Sequence, residues 1–189
     1  MLAIRNPAPA IGARKRSIHP NIVDCHDPVL RQISRPVDIQ NRAIVEPIWN
    51  ELELRLDEIR NLHHFSNCAG LSAIQLGIPI RMAVVWTPQT GYMHIANPEI
   101  LEYSAQITSE FEGCLSFFDV RGHVRRPSSI LLRYLQKDFS EREESFSSWT
   151  SRIIQHEVDH MNGIVYTDRM HPNESTIAYE DFLILRAAG

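Results

Sequence analysis

Apolar and polar residues along this chain follow two different periods. In VEPIWNELELRLDEIRNLH (45–63), Ile48, Leu52, Leu56, Ile59 and His63 recur three or four apart, and charged residues fill the other positions. That spacing predicts an amphipathic helix with Pro47 near its first turn. The small-residue stretch NCAGLSAIQLGIP (67–79) interrupts the pattern and reads as a loop closed by Gly77 and Pro79. IRMAVVW (80–86), YMHIANPEI (92–100), AQITSEF (105–111) and SSILLRYL (128–135) read as strands, and KDFSEREES (137–145) as a charged turn or loop. A second helix is predicted from about Ser148 to Met161, stopped by Asn162 and Gly163, with a short terminal helix over 176–185. A helix, several successive strands and a helix do not make a βαβ repeat. The fold class is therefore α+β, with mixed or mostly antiparallel sheets.

Composition narrows the class without identifying a function. At 189 residues, 43% hydrophobic and 22% charged, the chain suits one globular domain with a substantial core. A net charge of −4 gives no direct nucleic-acid footprint, and no apolar run reaches membrane-spanning length. Cys25, Cys68 and Cys114 form neither a CxxC pair nor an even framework, which fits a reducing compartment such as the cytoplasm. The first residues carry Arg5, Arg14, Lys15 and Arg16 with no acid before Asp24. Residues 1–20 read as a flexible basic extension, and 21–189 as a single domain. An organelle-targeting segment is the alternative, although such segments are richer in serine and longer in amphipathic pattern.

The chemistry concentrates in RIIQHEVDHMNGIVY (152–166). His156 and His160 stand four apart, so on a helix both imidazoles share a face and can reach one metal ion. Glu157 follows the first histidine, which gives the HExxH pattern. A catalytic metal needs a third protein ligand, and the residues leave three candidates. Tyr166 stands where a HExxHxxGxxH protease has its third histidine, and tyrosine is a poor zinc ligand. Glu174 and Glu180 lie downstream without a supporting motif. Cys114 lies upstream in FEGCLSFF (111–118), where a structural role for a buried cysteine is the competing reading.

GLSAIQ (70–75), EGCLS (112–116) and QHEVDH (155–160), in this order, resemble the three signature motifs of peptide deformylases. DPVLRQISRPV (27–37), IANPEI (95–100) and GIVYTDRM (163–170) are similar to further segments of that family, so the likeness spans roughly 22–170. The resemblance implies a peptide-deformylase-like α+β domain built around the HExxH helix. It implies one divalent ion, ferrous iron, with zinc, nickel or cobalt able to substitute, held by Cys114, His156 and His160. Glu157 would move the proton, and the Gln75 side-chain amide and the Leu115 backbone N–H would stabilise the oxyanion. The substrate implied is the N-formyl-methionyl end of a nascent peptide beside the ribosome. Its backbone would pair near Gly70 and Gly113, with Ala69, Trp149, Ile153 and His156 lining the methionine pocket and Arg121 beside the peptide path.

The chain departs from the family pattern at Ile74, Phe118 and Ser148, which stand where proline or a small residue, proline, and glycine are usual. These departures keep open a divergent paralogue with another formylated substrate. A zinc endopeptidase would share HExxH but would not need Gln75 or Cys114. A non-catalytic relic would have no chemical reason to carry Glu157.

Overall fold

The computed structural model describes residues 19–63 and 68–188. The expected basic extension therefore lies outside the described residues, except for His19 and Pro20. Helix α1 (Arg42–His63) is followed by β1 (Ala69–Ser72), β2 (Met82–Thr87), β3 (Gly91–Tyr103), β4 (Ile107–Cys114), β5 (Phe117–Pro127), β6 (Ser129–Leu135) and β7 (Glu141–Ser147). Helix α2 (Ser148–Met161), β8 (Ile177–Ala178) and α3 (Tyr179–Ala188) complete the order. One antiparallel sheet runs β1-β2-β3-β6-β7 and a second runs β4-β5-β8, and a parallel bridge joins Arg35 to Ile80.

Helix α1 lays Trp49, Leu52, Leu56 and Ile59 on the first sheet, against Leu71, Met82, Val84 and Ala96. It starts at Arg42, so Pro47 lies inside it rather than near its first turn. Helix α2 packs on β1, β2 and β6 of the first sheet and on β5 of the second. That is the central position expected for the HExxH helix.

Four further local readings are corrected. Within 67–79, Ala69–Ser72 is not loop but β1, an edge strand in register with β2 from Ala69↔Trp86 to Ser72↔Ala83. The segment 137–145 is a turn only as far as Ser140; Glu141–Ser147 is an edge strand paired along β6. Its side chains are exposed on both faces except at Phe146, so it shows no apolar alternation, and its charges blunt further pairing. Strand β5, assigned no element from the sequence, buries Gly122, Val124 and Arg126 on one face. A glycine and an arginine at inward positions hide the period. The terminal helix begins at Tyr179, a few residues later than expected. Among the described residues, no helix is long and apolar enough to cross a membrane.

Candidate metal centre and its cleft

Helix α2 buries almost all of its last three turns, and most of what it buries is polar: Arg152, Gln155, His156, Glu157, Asp159 and His160. Buried polar atoms are ordinarily hydrogen-bonded, so those left over point to a task. Gln155 donates to the Pro127 carbonyl and to Ser151 Oγ. Asp159 accepts from Arg126 and Arg169. Glu157 Oε2 and His160 Nδ1 have no hydrogen-bond partner.

Strands β4 and β5 form a hairpin whose turn is Leu115 and Ser116, with Cys114 opposite Phe117 and a register shift between Glu112 and Cys114. This turn brings Cys114 to α2. Sγ lies 3.2 Å from His160 Nε2, and the ligand atoms of Cys114, His156 and His160 all lie within 4.8 Å of one another, all three residues buried. A thiolate and two imidazoles crowded together in this way fit a single divalent cation. The upstream candidate is therefore the one that meets the histidines. Tyr166 instead packs its ring on His156, centroids 6.1 Å apart and planes 22° apart, while Glu174 and Glu180 are exposed. Burial opposes charge on both imidazoles. At His160 burial prevails and favours the neutral ring, whereas at His156 the hydrogen bonds with Cys114 and Glu112 outweigh burial and favour a proton, which a bound cation would displace from Nε2.

Gln75 sits in the tight turn Ala73–Leu76 after β1. Its Oε1 accepts from the Ser72 backbone N–H at 3.1 Å and from Ser72 Oγ at 3.0 Å, which turns Nε2 toward Cys114 Sγ and Ser116 Oγ, each 3.4 Å away. The amide is thereby aimed at the candidate centre. Gly70 allows the close approach of Glu157: a Cβ there would lie 2.4 Å from Glu157 Oε1 and 2.8 Å from Ile153 Cγ2. Burial pushes the Glu157 carboxyl up to about 7. At Gly113 a Cβ would lie 2.5 Å from the Arg121 guanidinium, which donates to the Phe118 and Val120 carbonyls and lies over the Tyr179 ring.

These groups open onto one cleft of about 780 Å³. Its lining includes every residue proposed from the sequence for substrate or catalysis: Ala69, Gly70, Gln75, Gly113, Leu115, Arg121, Trp149, Ile153 and Glu157. Cys114 and His156 also reach it, and fully buried His160 stands behind them. Trp149 is 53% exposed, so it stands at the rim.

Sequence reasoning missed the support beneath the site. Glu112 accepts from His156 Nδ1 at 3.1 Å, from Arg126 Nε and Nη2 at 2.6 and 2.9 Å, and from Arg152 Nη1 at 2.6 Å. Burial alone would raise its pKa, but the hydrogen bonds from His156 and Arg126 and the guanidinium charge hold it well below the usual carboxylate range. An acid within the cysteine motif, and an arginine and an aspartate within the HExxH helix, were the available signals. The far wall of the cleft was also missed: Phe118, Tyr179, Phe182 and Arg186, three of them on α3.

Residues 19–176 match the family model described as polypeptide deformylase. A peptide deformylase of Chlorobium phaeobacteroides is 39% identical over 150 residues, covering 76% of each chain. A solved class I type b peptide deformylase from Acinetobacter baumannii, bound to Met-Ala-Ser, superposes with a TM-score of 0.69 at 28% identity, covering 79% of this chain and 96% of that one. The peptide deformylase of Thermotoga maritima gives 0.69 at 30% identity, covering 84% and 100%.

Proposed function

This chain belongs to the peptide deformylase family, and from that premise we propose how its residues divide the work. The reaction is removal of the N-formyl group from the N-terminal formyl-methionine of nascent polypeptides, with release of formate, and it is metal-dependent. Cys114, His156 and His160 hold the ion, which is ferrous iron, with zinc, nickel or cobalt able to replace it; a soft thiolate with two imidazoles accepts each of these. A divalent cation held there would supply Lewis acidity and lower the pKa of a water toward neutrality.

The remaining work belongs to side chains and backbone. Glu157 takes the proton from the attacking water and gives it to the departing amine nitrogen as the C–N bond breaks. The Gln75 amide and the Leu115 N–H donate to the formyl oxygen as it becomes an oxyanion. The peptide lies extended along the open edge of β1, with Gly70 on one side and Gly113 on the other, as an added strand. Ala69, Ile153, His156 and Trp149 receive the methionine side chain, and Arg121 stands along the peptide path. Residues 21–189 act as one catalytic domain, working in the cytoplasm on chains emerging from the ribosome.

The observation that carries this assignment is the meeting of Cys114 with both histidines beneath the amide of Gln75. The test is to purify the protein anaerobically, load it with iron or nickel, and measure formate release from a formyl-methionyl peptide. Formate is expected from wild type and none from Cys114→Ala, which should lose the metal. Folded, metal-loaded protein that releases no formate would sink the reading.

A further inference from the structure

Arg152 stands one turn before His156 on α2, with only 5% of its side chain exposed. Its Nη1 donates to Glu112 Oε1 at 2.6 Å and to the Val124 carbonyl at 3.0 Å; its Nη2 donates to the Thr108 carbonyl at 3.0 Å and to Thr108 Oγ1 at 2.9 Å. Thr108 and Glu112 belong to β4 and Val124 to β5. One side chain of the helix thus grips both strands of the hairpin that ends in Cys114. We propose that Arg152 is a positioning residue for the metal centre: it fixes the helix bearing His156 and His160 against the hairpin bearing Cys114, and it locks Glu112 onto His156. This rests on Cys114, His156 and His160 being the ligands.

The geometry at Glu112 gives the lock its detail. Oε2 accepts from His156 Nδ1 and from Arg126 Nη2, while Oε1 accepts from Arg126 Nε and Arg152 Nη1. Turning the carboxylate away from His156 would break the two bonds to Oε1 as well. While Glu112 holds the Nδ1 proton, Nε2 keeps the free lone pair that a metal requires. Neutralising buried charge does not demand a third guanidinium here. Glu112 and Asp159 already face buried Arg126 and half-exposed Arg169, two cations for two anions. A buried cation is also an inefficient way to fill space, because an apolar residue of similar volume is often as stabilising or more so. What Arg152 adds is direction: three of its four bonds run to Thr108 and Val124 rather than to a charge.

Cobalt(II) is the probe, since its absorption reports both the thiolate bond and the geometry around the ion. Wild type should bind one cobalt per chain. Arg152→Met keeps the length of the side chain, removes all four bonds and leaves the other charges matched. It should bind cobalt about 10- to 100-fold more weakly in competition with a chelator, with a displaced spectrum. Arg152→Lys, which returns a cation to Glu112 without the fork to Thr108 and Val124, should recover part of the loss. A purely structural Arg152 would lower the melting temperature and leave cobalt affinity and spectrum unchanged in both variants, and that result overturns the inference. Should Arg152→Met fail to fold, wild-type affinity in Arg152→Lys overturns it equally. The ligand assignment fails separately, and takes the inference with it, if Cys114→Ala binds cobalt as wild type does.

Discussion

Helices α1 and α2 pack against the same strands, β1 and β2, and solve opposite problems. Helix α1 turns Val45, Trp49, Leu52, Leu56 and Ile59 inward and keeps its ion pairs, Arg55 with Glu51 and Glu58 and Arg60 with Asp57, toward solvent. Helix α2 carries its ion pairs and imidazoles inward. Charge placed outside is screened and adds little, whereas charge placed inside must be matched atom by atom. The contrast shows that α1 serves stability and α2 is held in place so that a few of its atoms can stay unmatched. Apolar truncation should therefore damage α1, and isosteric polar changes should damage α2.

Glu157→Gln tests that division most severely. It removes the proposed proton acceptor without changing shape, so kcat for formate release should fall about 10²- to 10⁴-fold while cobalt still binds. Stability should move the other way. Burial raises the Glu157 carboxyl to about 7, above the unfolded value of about 4.3, so its ionisation weakens the fold as pH climbs between those values. Metal-stripped Glu157→Gln should therefore unfold at higher urea than wild type at pH 8, and a lower midpoint would contradict the account.

Glu112→Gln should do the reverse and damage the fold first. Breaking a buried pair leaves guanidinium charge uncompensated and costs about 3–5 kcal/mol. Because the folded pKa of Glu112 is depressed, its contribution is complete above the unfolded value of about 4.3 and disappears as pH falls through the lower folded value. The difference between wild type and Glu112→Gln in urea unfolding should accordingly shrink as the solution is acidified below about pH 4. On α1, Leu56→Ala should cost about 2–5 kcal/mol by cavity formation, with metal binding and kcat retained in the folded fraction.

The same contrast explains what the sequence made legible. Helix α1 follows from periodicity because its buried face is apolar. Two of the candidate ligands were reachable through a short motif, since HExxH on one helix face carries a local rule; the residues alone left Cys114 one of three candidates for the third, and only the likeness of EGCLS to a family motif singled it out. Glu112, Arg126 and Arg152 obey no local rule. Their meaning depends on a hairpin and a helix distant in sequence, and on burial that a charged residue does not announce. Strand β7 escaped for the opposite reason: as an exposed edge, it has no buried face to mark.

Ser148 opens α2 with φ of 56°, in the left-handed region that favours glycine. It stands where the resemblance predicts glycine, so the departure noted in the sequence is a small local strain beside the site. Ser148→Gly should relieve about 1 kcal/mol, less whatever a freer unfolded chain takes back, and should raise the melting temperature without changing KM. A fall in stability would show that the serine hydroxyl, rather than the backbone, decides the start of the helix.

The smallest effect is expected from an ion pair of α1. Arg55 donates to Glu51 and to Glu58, one turn before and one turn after it, so removing Glu51 leaves a second carboxylate in place. Glu51→Ala should shift the unfolding midpoint by less than Ser148→Gly does. In about 1 M salt, where the screening length falls to about 3 Å, even that difference should vanish. The Glu112 network should be nearly indifferent to the same salt, because ions do not reach a carboxylate that is 4% exposed and enclosed by two guanidinium groups and an imidazole. Equal salt sensitivity in the two variants would erase the distinction between the helices, since it would mean that the buried pairs of α2 are open to solvent.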